Sequence, residues 1–125
     1  MATQEKTMTT HDVANRLLEL CRQGQVLEAE EELFHDEVTT IAPDMKGGMV
    51  TTHGKAENIA KGKEFAGMME EVHSAHISEP VIAGNWFSIS WTIDVTMKGM
   101  GRQTWSEICV YQIKDGKIFH QQFFS

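Results

Sequence analysis

The hydrophobic pattern changes its period near residue 70, and this change limits the folds that the chain can adopt. Over residues 10–69 apolar side chains recur mostly at helical spacing, whereas over residues 71–124 they alternate with polar ones. The alternation is regular from Phe87 to Met97, where every second side chain is apolar. A helical half followed by a half rich in strands predicts the α+β class, in which helices pack on one face of a largely antiparallel sheet.

The first half predicts three helices and one short strand. The first helix begins at Thr9 or Thr10, either of which is a good N-cap, and ends before Gly24. The second helix carries the acidic run Glu30–Glu32, which we interpret as its solvent-exposed face. The segment Asp44–Gly54 is predicted to be a loop because it is rich in glycine. The other elements are a second helix over Val26–Leu33, a strand over Glu37–Ile41 and a third helix over about Lys55–Met68.

The second half predicts a meander of four long strands joined by tight hairpins. The first strand covers about Val72–Ile82 and the last covers Ile118–Phe124. The turn around Lys98–Gly101 joins the two middle strands, and the Asp-Gly pair within Lys114–Lys117 joins the last two. The length of each turn is decisive, because a shift of one residue moves all side chains of a strand to the opposite face.

Composition limits the classes of partner. The 125 residues are enough for one domain over 1–125, with a flexible N-terminal tail over 1–9. No apolar stretch approaches the ~18 residues of a membrane span, and the first residues lack the apolar core of a signal peptide, so we expect a cytoplasmic protein. The net charge of −7 disfavours nucleic acid and anionic membranes as partners. Cys21 and Cys109 are interpreted as reduced, apolar side chains.

The order and spacing of these elements resemble the nuclear transport factor 2-like superfamily and, within it, the SnoaL-like group of small bacterial proteins. The resemblance covers nearly the whole chain, from about Val13 to the end. It is carried most clearly by Val13–Gln23 (VANRLLELCRQ), Glu71–Ala75 (EVHSA), Asp94–Thr96 and Val110–Phe124 (VYQIKDGKIFHQQFF).

This resemblance implies a cone-shaped, curved, largely antiparallel sheet wrapped around the N-terminal helices, the cystatin-like α+β barrel. Members include ketosteroid isomerase, limonene epoxide hydrolase, scytalone dehydratase and polyketide cyclases, beside non-enzymatic binding domains. It therefore implies a pocket for a small, mostly apolar molecule but no single reaction. It also implies a homodimer formed through the outer face of the sheet. No cofactor is predicted, because Gly99–Gly101 lies in a hairpin rather than in a strand-to-helix dinucleotide loop.

Glu107 is the leading catalytic candidate. Trp105 and Cys109 flank it on an apolar strand face, where desolvation would raise the pKa of its carboxyl group into the range of a useful general acid or base. The resemblance adds that ketosteroid isomerase carries an acid on the corresponding strand, although Glu107 lies about one rung away from that position. The alternative is a glutamate that faces solvent or pairs with Arg102.

The register of the last hairpin decides which side chains accompany Glu107. If residue 113 pairs with residue 117, three cross-strand pairs share one side of the sheet: Tyr111 with Phe119, Cys109 with Gln121 and Glu107 with Phe123. The resemblance implies that this side faces the cavity. If the turn has two residues, the last strand is flipped and its inward side chains are His120, Gln122 and Phe124. We favour the first register.

Two other residues are weaker catalytic candidates. Asp94 faces outward if a three-residue loop pairs Ile93 with Glu107 and inward if the turn has two residues; the apolar run of its strand favours the outward position. His73, near the cavity mouth, could carry a proton at neutral pH, although a surface histidine is the simpler interpretation. His73 and His76 are three apart on a strand and point to opposite faces unless the strand contains a bulge, so no metal site is predicted.

The pocket predicted around these candidates has a soft, aromatic lining. Its predicted residues are Trp91, Trp105, Tyr111, Gln121, Phe123, Phe65 and Met69. The leading hypothesis is a small-molecule-binding domain that, if it is an enzyme, moves protons without a cofactor in an isomerisation, dehydration or cyclisation. Glu107 would carry the proton, with His73 or Tyr111 assisting. The alternative is a non-catalytic ligand carrier or a dimeric interaction module.

Overall fold

The structure, a computed structural model, describes residues 7–44 and 46–125. Within these ranges the chain forms three helices and seven strands, and none of these helices is both long and apolar enough to span a membrane. In chain order the elements are α1 (Thr10–Arg22), α2 (Val26–Leu33), β1 (Phe34–Pro43), β2 (Met49–His53), α3 (Lys55–Gly67), β3 (Met69–Ile77), β4 (Val81–Ala83), β5 (Trp86–Met97), β6 (Gly101–Lys114) and β7 (Lys117–Phe124).

The seven strands of the described residues form one curved sheet in the order β2-β1-β7-β6-β5-β3, with β4 added to β5. Strands β1 and β7 are parallel, and the other pairs in this sheet are antiparallel. The sheet is open, because β2 and β3 lie at the two ends of this order. The prediction of an α+β fold with a curved, largely antiparallel sheet is confirmed, although the sheet does not close into a barrel.

The three helices pack on one face of the sheet, which we call the inner face; the opposite face is the outer face. The inner face carries the buried side chains Phe87 and Ile89 of β5, together with Cys109 and Tyr111 of β6. Against these strands α1 packs an apolar stripe at the predicted helical spacing, formed by Val13, Ala14, Leu17, Leu18 and Cys21. The core therefore lies between the helices and the odd-numbered side chains of β5 and β6.

A reciprocal cap fixes the start of α1. The Thr9 hydroxyl accepts a hydrogen bond from the Asp12 backbone N–H at 3.1 Å, and the Asp12 carboxylate accepts one from the Thr9 N–H at 3.0 Å. Of the predicted N-terminal tail, residues 1–6 lie outside the described part of the chain. Met8 packs against the core, and a Cβ placed on Gly116 would lie 3.0 Å from the Met8 backbone nitrogen. Residues 8 and 9 therefore belong to the packed fold rather than to a tail.

The part of the sheet formed by the first half of the chain is larger than the sequence predicts. Strand β1 starts at Phe34 rather than at Glu37, and the segment predicted as a loop contains β2. Because β1 pairs with β2 on one side and β7 on the other, tertiary pairing rather than local propensity sets its length. The predicted strand Val72–Ile82 is two strands, β3 and β4, which are separated around Pro80 because proline cannot donate to a strand ladder.

The β5–β6 hairpin has the predicted three-residue loop, Lys98–Met100, but not the predicted pairing. Ile93 lies opposite Trp105 rather than opposite Glu107, so the expected pair is wrong by two positions. Asp94 nevertheless lies on the outer face, as the apolar run of β5 favours, because it is offset by one residue from the inward-facing Ile93.

The β6–β7 turn has two residues. Lys114 pairs with Lys117, and both central residues have positive φ, 54° at Asp115 and 72° at Gly116, as a type I′ turn requires. The favoured pairing of residues 113 and 117 is therefore wrong.

A β-bulge at Phe119 then compensates for the short turn. Ile118 lies opposite residue 113 and His120 opposite residue 112, so Phe119 is an extra residue in β7. Beyond the bulge, Gln121 lies opposite Tyr111, and Phe123 opposite residue 109, on the inner face. The predicted face of β7 is thus retained with shifted partners, and His120 lies on the outer face.

Candidate functional site

Glu107 lies on the inner face of β6, directly opposite Trp91 on β5. Burial of its side chain raises the pKa of its carboxyl group above the ordinary value. The Cys109 thiol donates a long hydrogen bond to this carboxyl group, 3.8 Å from Sγ to Oε1, which opposes the rise. Arg102 does not pair with Glu107, because its guanidinium binds Asp94 on the outer face. The Glu107 carboxyl group therefore has no cationic partner among the described residues and can exchange a proton with a ligand.

Trp91 provides an unpaired hydrogen-bond donor next to this carboxyl group. Paired residues on neighbouring strands have Cβ atoms about 4.5–5.5 Å apart, so the indole and the carboxyl group share one patch of the inner face. The Trp91 Nε1 is fully buried and has no hydrogen-bond partner within residues 7–44 and 46–125. By contrast, Nε1 of Trp105 donates to Oε1 of Gln103 at 2.9 Å. A buried donor without a partner costs about 1–3 kcal/mol, so the Trp91 N–H is suited to bind a ligand oxygen.

Two thiols and one phenol border the buried side of this patch. Burial raises the pKa of Cys21 and of Cys109 to about 12, with added contributions from the carboxyl groups of Glu30 and Glu107 respectively. Complete burial raises the pKa of Tyr111 well above its ordinary value. These three groups therefore keep their protons at neutral pH, so the cysteines are not thiolate nucleophiles and Tyr111 is not a phenolate base.

Glu30 is a titratable group of the interior that the sequence pattern did not predict. The acidic run Glu30–Glu32 was expected to face solvent, but Glu30 packs toward α3 and is half-buried. Burial, followed by repulsion from Glu31, raises the pKa of its carboxyl group to about 7. Leu27 and Leu33 each lie three residues from Glu30, which places all three on neighbouring parts of one helix face. This spacing is the sequence signal that could have revealed it.

The two other catalytic candidates lie on the outer face, away from Glu107. Asp94 accepts two hydrogen bonds from Arg102, at 2.9 and 2.8 Å, and this pairing lowers the pKa of Asp94. His73 lies at a bulge in β3, where its Nε2 is 2.7 Å from Oγ1 of Thr96. Because the sheet lies between these side chains and Glu107, the structure does not bring the three candidates together.

The bulge in β3 also changes the relation between the two histidines. A regular strand would send His73 and His76 to opposite faces, but the register shifts between Val72 and Ser74. His73 bonds an outer-face threonine and His76 lies opposite Thr92, also on the outer face, so the opposite orientation predicted for a strand without a bulge does not occur in this bulged strand. No group of three or more His, Cys, Asp or Glu side chains in the described part of the chain is arranged to hold a metal ion.

The predicted lining residues from α3 and β3 gather at the end of the site nearest the β5–β6 turn. Phe65, at the end of α3, packs beside Trp105 with ring centroids 5.9 Å apart. Met69 begins β3 and pairs with the buried Met97 of β5. Phe65 is 46% exposed, so it lies at the edge of this patch, where a ligand could approach from solvent.

The predicted lining residues of β7 lie at the other end. Gln121 is buried, and its Nε2 donates a hydrogen bond to Oγ1 of Thr40 at 2.9 Å. Phe123 packs edge-to-face on Tyr111 with ring centroids 6.4 Å apart. Both side chains are engaged in packing, so they shape the wall of the site rather than supply reactive groups.

Two open grooves occur elsewhere, and both include Lys55 at the start of α3. One has a volume of about 640 Å³ and includes Glu31 and Lys55; the other, of about 320 Å³, includes Lys55 and Lys117. The ammonium groups of these lysines already donate to the C-terminal carbonyl oxygens of α2, at 2.6 Å for Lys55 and 2.7 Å for Lys117. We therefore assign these cations to capping α2, and neither groove includes Glu107.

The protein is a small α+β domain of the cystatin-like type. It has a curved sheet, helices on the inner face and an acid, Glu107, on the inner face of β6. The SnoaL-like domain family matches residues 8–125, nearly the whole chain. The chain therefore belongs to the SnoaL-like domain family. No curated protein is similar enough to count as a match.

Solved structures agree with this assignment. A protein of Mesorhizobium loti, whose name reads SnoaL-like polyketide cyclase with carbohydrate phosphatase in brackets, is 31% identical, with a TM-score of 0.86 over 94% of this chain and 100% of its own. A cystatin-like protein of unknown function from Xanthomonas campestris is 18% identical, with a TM-score of 0.78 over 94% and 91% of the two chains. A protein of Catenulispora acidiphila with a ketosteroid isomerase-like fold, solved with trimethylamine, is 18% identical, with a TM-score of 0.71 over 90% and 84%. The last two show the fold alone.

Proposed function

We propose that this protein binds a small, largely apolar carbonyl compound on the inner face of its sheet and moves a proton of this compound without a cofactor. The reaction is then an isomerisation, dehydration or cyclisation. The observation that carries this proposal is the pairing of a partly buried carboxyl group, Glu107, with the buried and unpaired indole N–H of Trp91.

These two groups suit the two ends of an enolisation. The Glu107 carboxylate accepts a proton from the carbon beside the carbonyl and later returns it to the same carbon or another one. While the proton is on Glu107, negative charge develops on the carbonyl oxygen, and the Trp91 N–H stabilises that charge by a hydrogen bond. Desolvation makes Glu107 a stronger base than an exposed glutamate, and the indole donor is already oriented because it lies in a strand pair.

The name of one relative supports cyclisation, since the Mesorhizobium loti protein is named as a SnoaL-like polyketide cyclase, although the same name also carries the words carbohydrate phosphatase. The alternative is a non-catalytic carrier or interaction module. That alternative is favoured by one observation: aromatic side chains, including Trp105 and Phe65, pack against one another at the end of the site and fill part of its space.

The test is the exchange of α-protons of 2-tetralone, a small cyclic ketone, followed by proton NMR in D2O. We expect the wild-type protein to accelerate exchange above the buffer rate. Glu107→Gln should abolish the acceleration, and Trp91→Phe should lower it by about 10²–10³-fold, the usual loss for one oxyanion donor. Asp94→Asn, on the outer face, is the matched control and should exchange at the wild-type rate. No acceleration by the wild-type protein, or equal rates for wild type and Glu107→Gln, would favour the carrier.

A further inference from the structure

We propose that Thr96, His73 and Glu71 form a second reactive site, on the outer face of the sheet, at which the Thr96 hydroxyl is the nucleophile in the hydrolysis of a small, polar ester. The three side chains lie on two neighbouring strands, Glu71 and His73 on β3 and Thr96 on β5. The sheet separates them from Glu107 on the inner face. This inference is therefore independent of the proposed function.

The three polar groups form a continuous hydrogen-bonded chain. Nε2 of His73 lies 2.7 Å from Oγ1 of Thr96, and Nδ1 of the same ring lies 3.1 Å from Oε2 of Glu71. An ionised carboxylate only accepts hydrogen bonds, so the contact with Glu71 places the ring proton on Nδ1 and leaves Nε2 of the neutral ring to accept the proton of the Thr96 hydroxyl. A nucleophile within hydrogen-bond reach of a base, which a third group orients, is the arrangement that activates a hydroxyl.

A β-bulge places the imidazole ring of His73 in this chain. The register of β3 against β5 shifts between residues 72 and 74, so His73 is an extra residue without a partner on β5. Bulges re-aim side chains and occur often at sheet edges and next to active sites. Glu71 lies directly opposite Thr96. The ring of His73 therefore joins two residues that already face each other across the strand pair.

A second threonine and histidine on the same two strands lack such a chain. Thr92 lies opposite His76 on the outer face, but its hydroxyl is hydrogen-bonded to Oγ of Ser106 at 3.0 Å. Within residues 7–44 and 46–125, His76 makes no hydrogen bond or ion pair with its side chain. The chain described above is therefore a specific arrangement rather than a general result of placing a histidine near a threonine, and the second pair supplies matched controls.

A cation lies on the other side of the reactive hydroxyl. Arg102 of β6 is directly opposite Thr96, so its guanidinium group and the hydroxyl share one patch of the outer face. Nε and Nη2 of Arg102 donate to Asp94 at 2.9 and 2.8 Å, and Nη1 has no acceptor among the described residues. Nη1 is therefore a charged donor for the ester oxygen on which negative charge develops during the attack.

The patch around the hydroxyl is open to solvent and polar, and this limits the class of ester. The side chains of Glu71 and Arg102, on either side of it, are 69% and 62% exposed. The neighbouring outer-face side chains Ser74 and Thr104 are also exposed and polar. These surroundings suit a short acyl group such as acetyl, because a long apolar chain would remain in contact with water.

Hydrolysis takes place in two balanced steps. In the first, Oγ1 of Thr96 attacks the ester carbonyl carbon while Nε2 of His73 takes the hydroxyl proton; the alcohol then leaves with that proton, and the acyl group stays on Thr96. In the second, water attacks the acyl carbon and gives a proton to His73, and the departing Thr96 oxygen takes that proton back. One ester and one water become one carboxylic acid and one alcohol. Glu71 is a positioning residue, which holds the ring tautomer throughout.

The first test is the acetylation of the protein by p-nitrophenyl acetate, stopped with acid during turnover and located by mass spectrometry of peptides. We expect an acetyl group on Thr96 in the wild-type protein and none at position 96 in Thr96→Val, whereas Thr96→Ser should keep the modification. Thr92→Val is the matched control and should be acetylated on Thr96 at the wild-type rate. A wild-type protein without an acetyl group on Thr96, or with equal occupancy of Thr92 and Thr96, would overturn the proposal.

The second test measures the release of p-nitrophenolate by variants of the base and of its positioning residue. His73→Gln should lower the rate by about 10²–10⁴-fold, the usual contribution of a general base, and His76→Gln should match the wild type. Glu71→Gln should lower kcat at an unchanged KM, and Glu71→Asp should restore part of kcat because it returns a carboxylate to the ring. A rate that does not depend on His73, or a Glu71→Asp protein no faster than Glu71→Gln, would contradict these roles.

Discussion

Replacement of Glu30 by glutamine should remove a loss of stability that the wild-type protein suffers as pH rises. Below pH 4.5, the ordinary pKa of this group, the carboxyl group is protonated in both the folded and the unfolded chain. Between pH 4.5 and about 7 the folded state keeps the proton and the unfolded state does not, so unfolding releases a proton and becomes easier as pH rises. Above pH 7 both states are ionised and the loss is complete.

The size of this loss follows from the width of the interval. Each pH unit between the two pKa values changes the free energy of unfolding by about 1.36 kcal/mol. The interval from 4.5 to about 7 therefore corresponds to about 3 kcal/mol, an upper figure because water reaches part of the carboxyl group. A loss of this size is a large share of the 5–15 kcal/mol by which domains of this size are usually stable.

Urea unfolding followed by tryptophan fluorescence, between about pH 4 and pH 8, measures the effect. The difference in unfolding free energy between Glu30→Gln and wild type should rise by up to about 3 kcal/mol across this range and level off above pH 7. Glu28→Gln is the control, because this glutamate is exposed on the same helix and its difference curve should be flat. A flat difference curve for Glu30→Gln would show that the wild-type Glu30 carboxyl group is solvated, and that its position beside Gly62 of α3 does not shield it from water.

Two other predictions concern the turn and the outer face. Gly116→Ala should destabilise the protein more than Gly99→Ala. Both glycines have positive φ (72° and 74°), but a Cβ at position 116 would also lie 2.8 Å from Thr7. Urea unfolding of the two variants measures the difference, and equal losses of unfolding free energy would contradict the prediction. We also propose that the paired, half-exposed side chains Ile108 and Phe124 form the centre of a homodimer contact on the outer face. Ile108→Asp should then convert a dimer to a monomer in light scattering, and a wild-type monomer would refute it.

The sequence predicts those parts of the fold that depend on local patterns. The stripe of α1, its threonine cap and the period-two run of β5 each depend on neighbouring residues, and the structure confirms all three. Strand β2 and the full length of β1 depend on pairing between distant segments, which a local pattern does not contain. The fold class and the order of the elements were therefore predictable, whereas the lengths of the strands in the first half of the chain were not.

The candidate site shows the same division. The inner-face position of Glu107 follows from alternation along β6, and the structure agrees even though its strand partner differs from the predicted one. The surface position favoured for His73 agrees with the structure, but its orientation relative to His76 does not follow the regular alternation, because a bulge in β3 cannot be seen in a pattern of alternating residues. Glu30 was missed because three consecutive glutamates look uniformly solvated, while its orientation depends on a glycine 32 positions further along the chain.

The bulge at Phe119 has a consequence for how relatives should be aligned. The Phe119 ring makes two contacts. Its centroid lies 5.2 Å from the centroid of the His35 ring and 4.6 Å from the Lys114 ammonium nitrogen. A relative with one more residue in the β6–β7 turn could lack the bulge residue that corresponds to Phe119 and still keep Gln121 and Phe123 pointing inward. Insertions and deletions near positions 115–120 should then occur as compensating pairs. In such alignments, equivalent wall residues are better identified by counting back from the end of β7 than by counting forward from the turn.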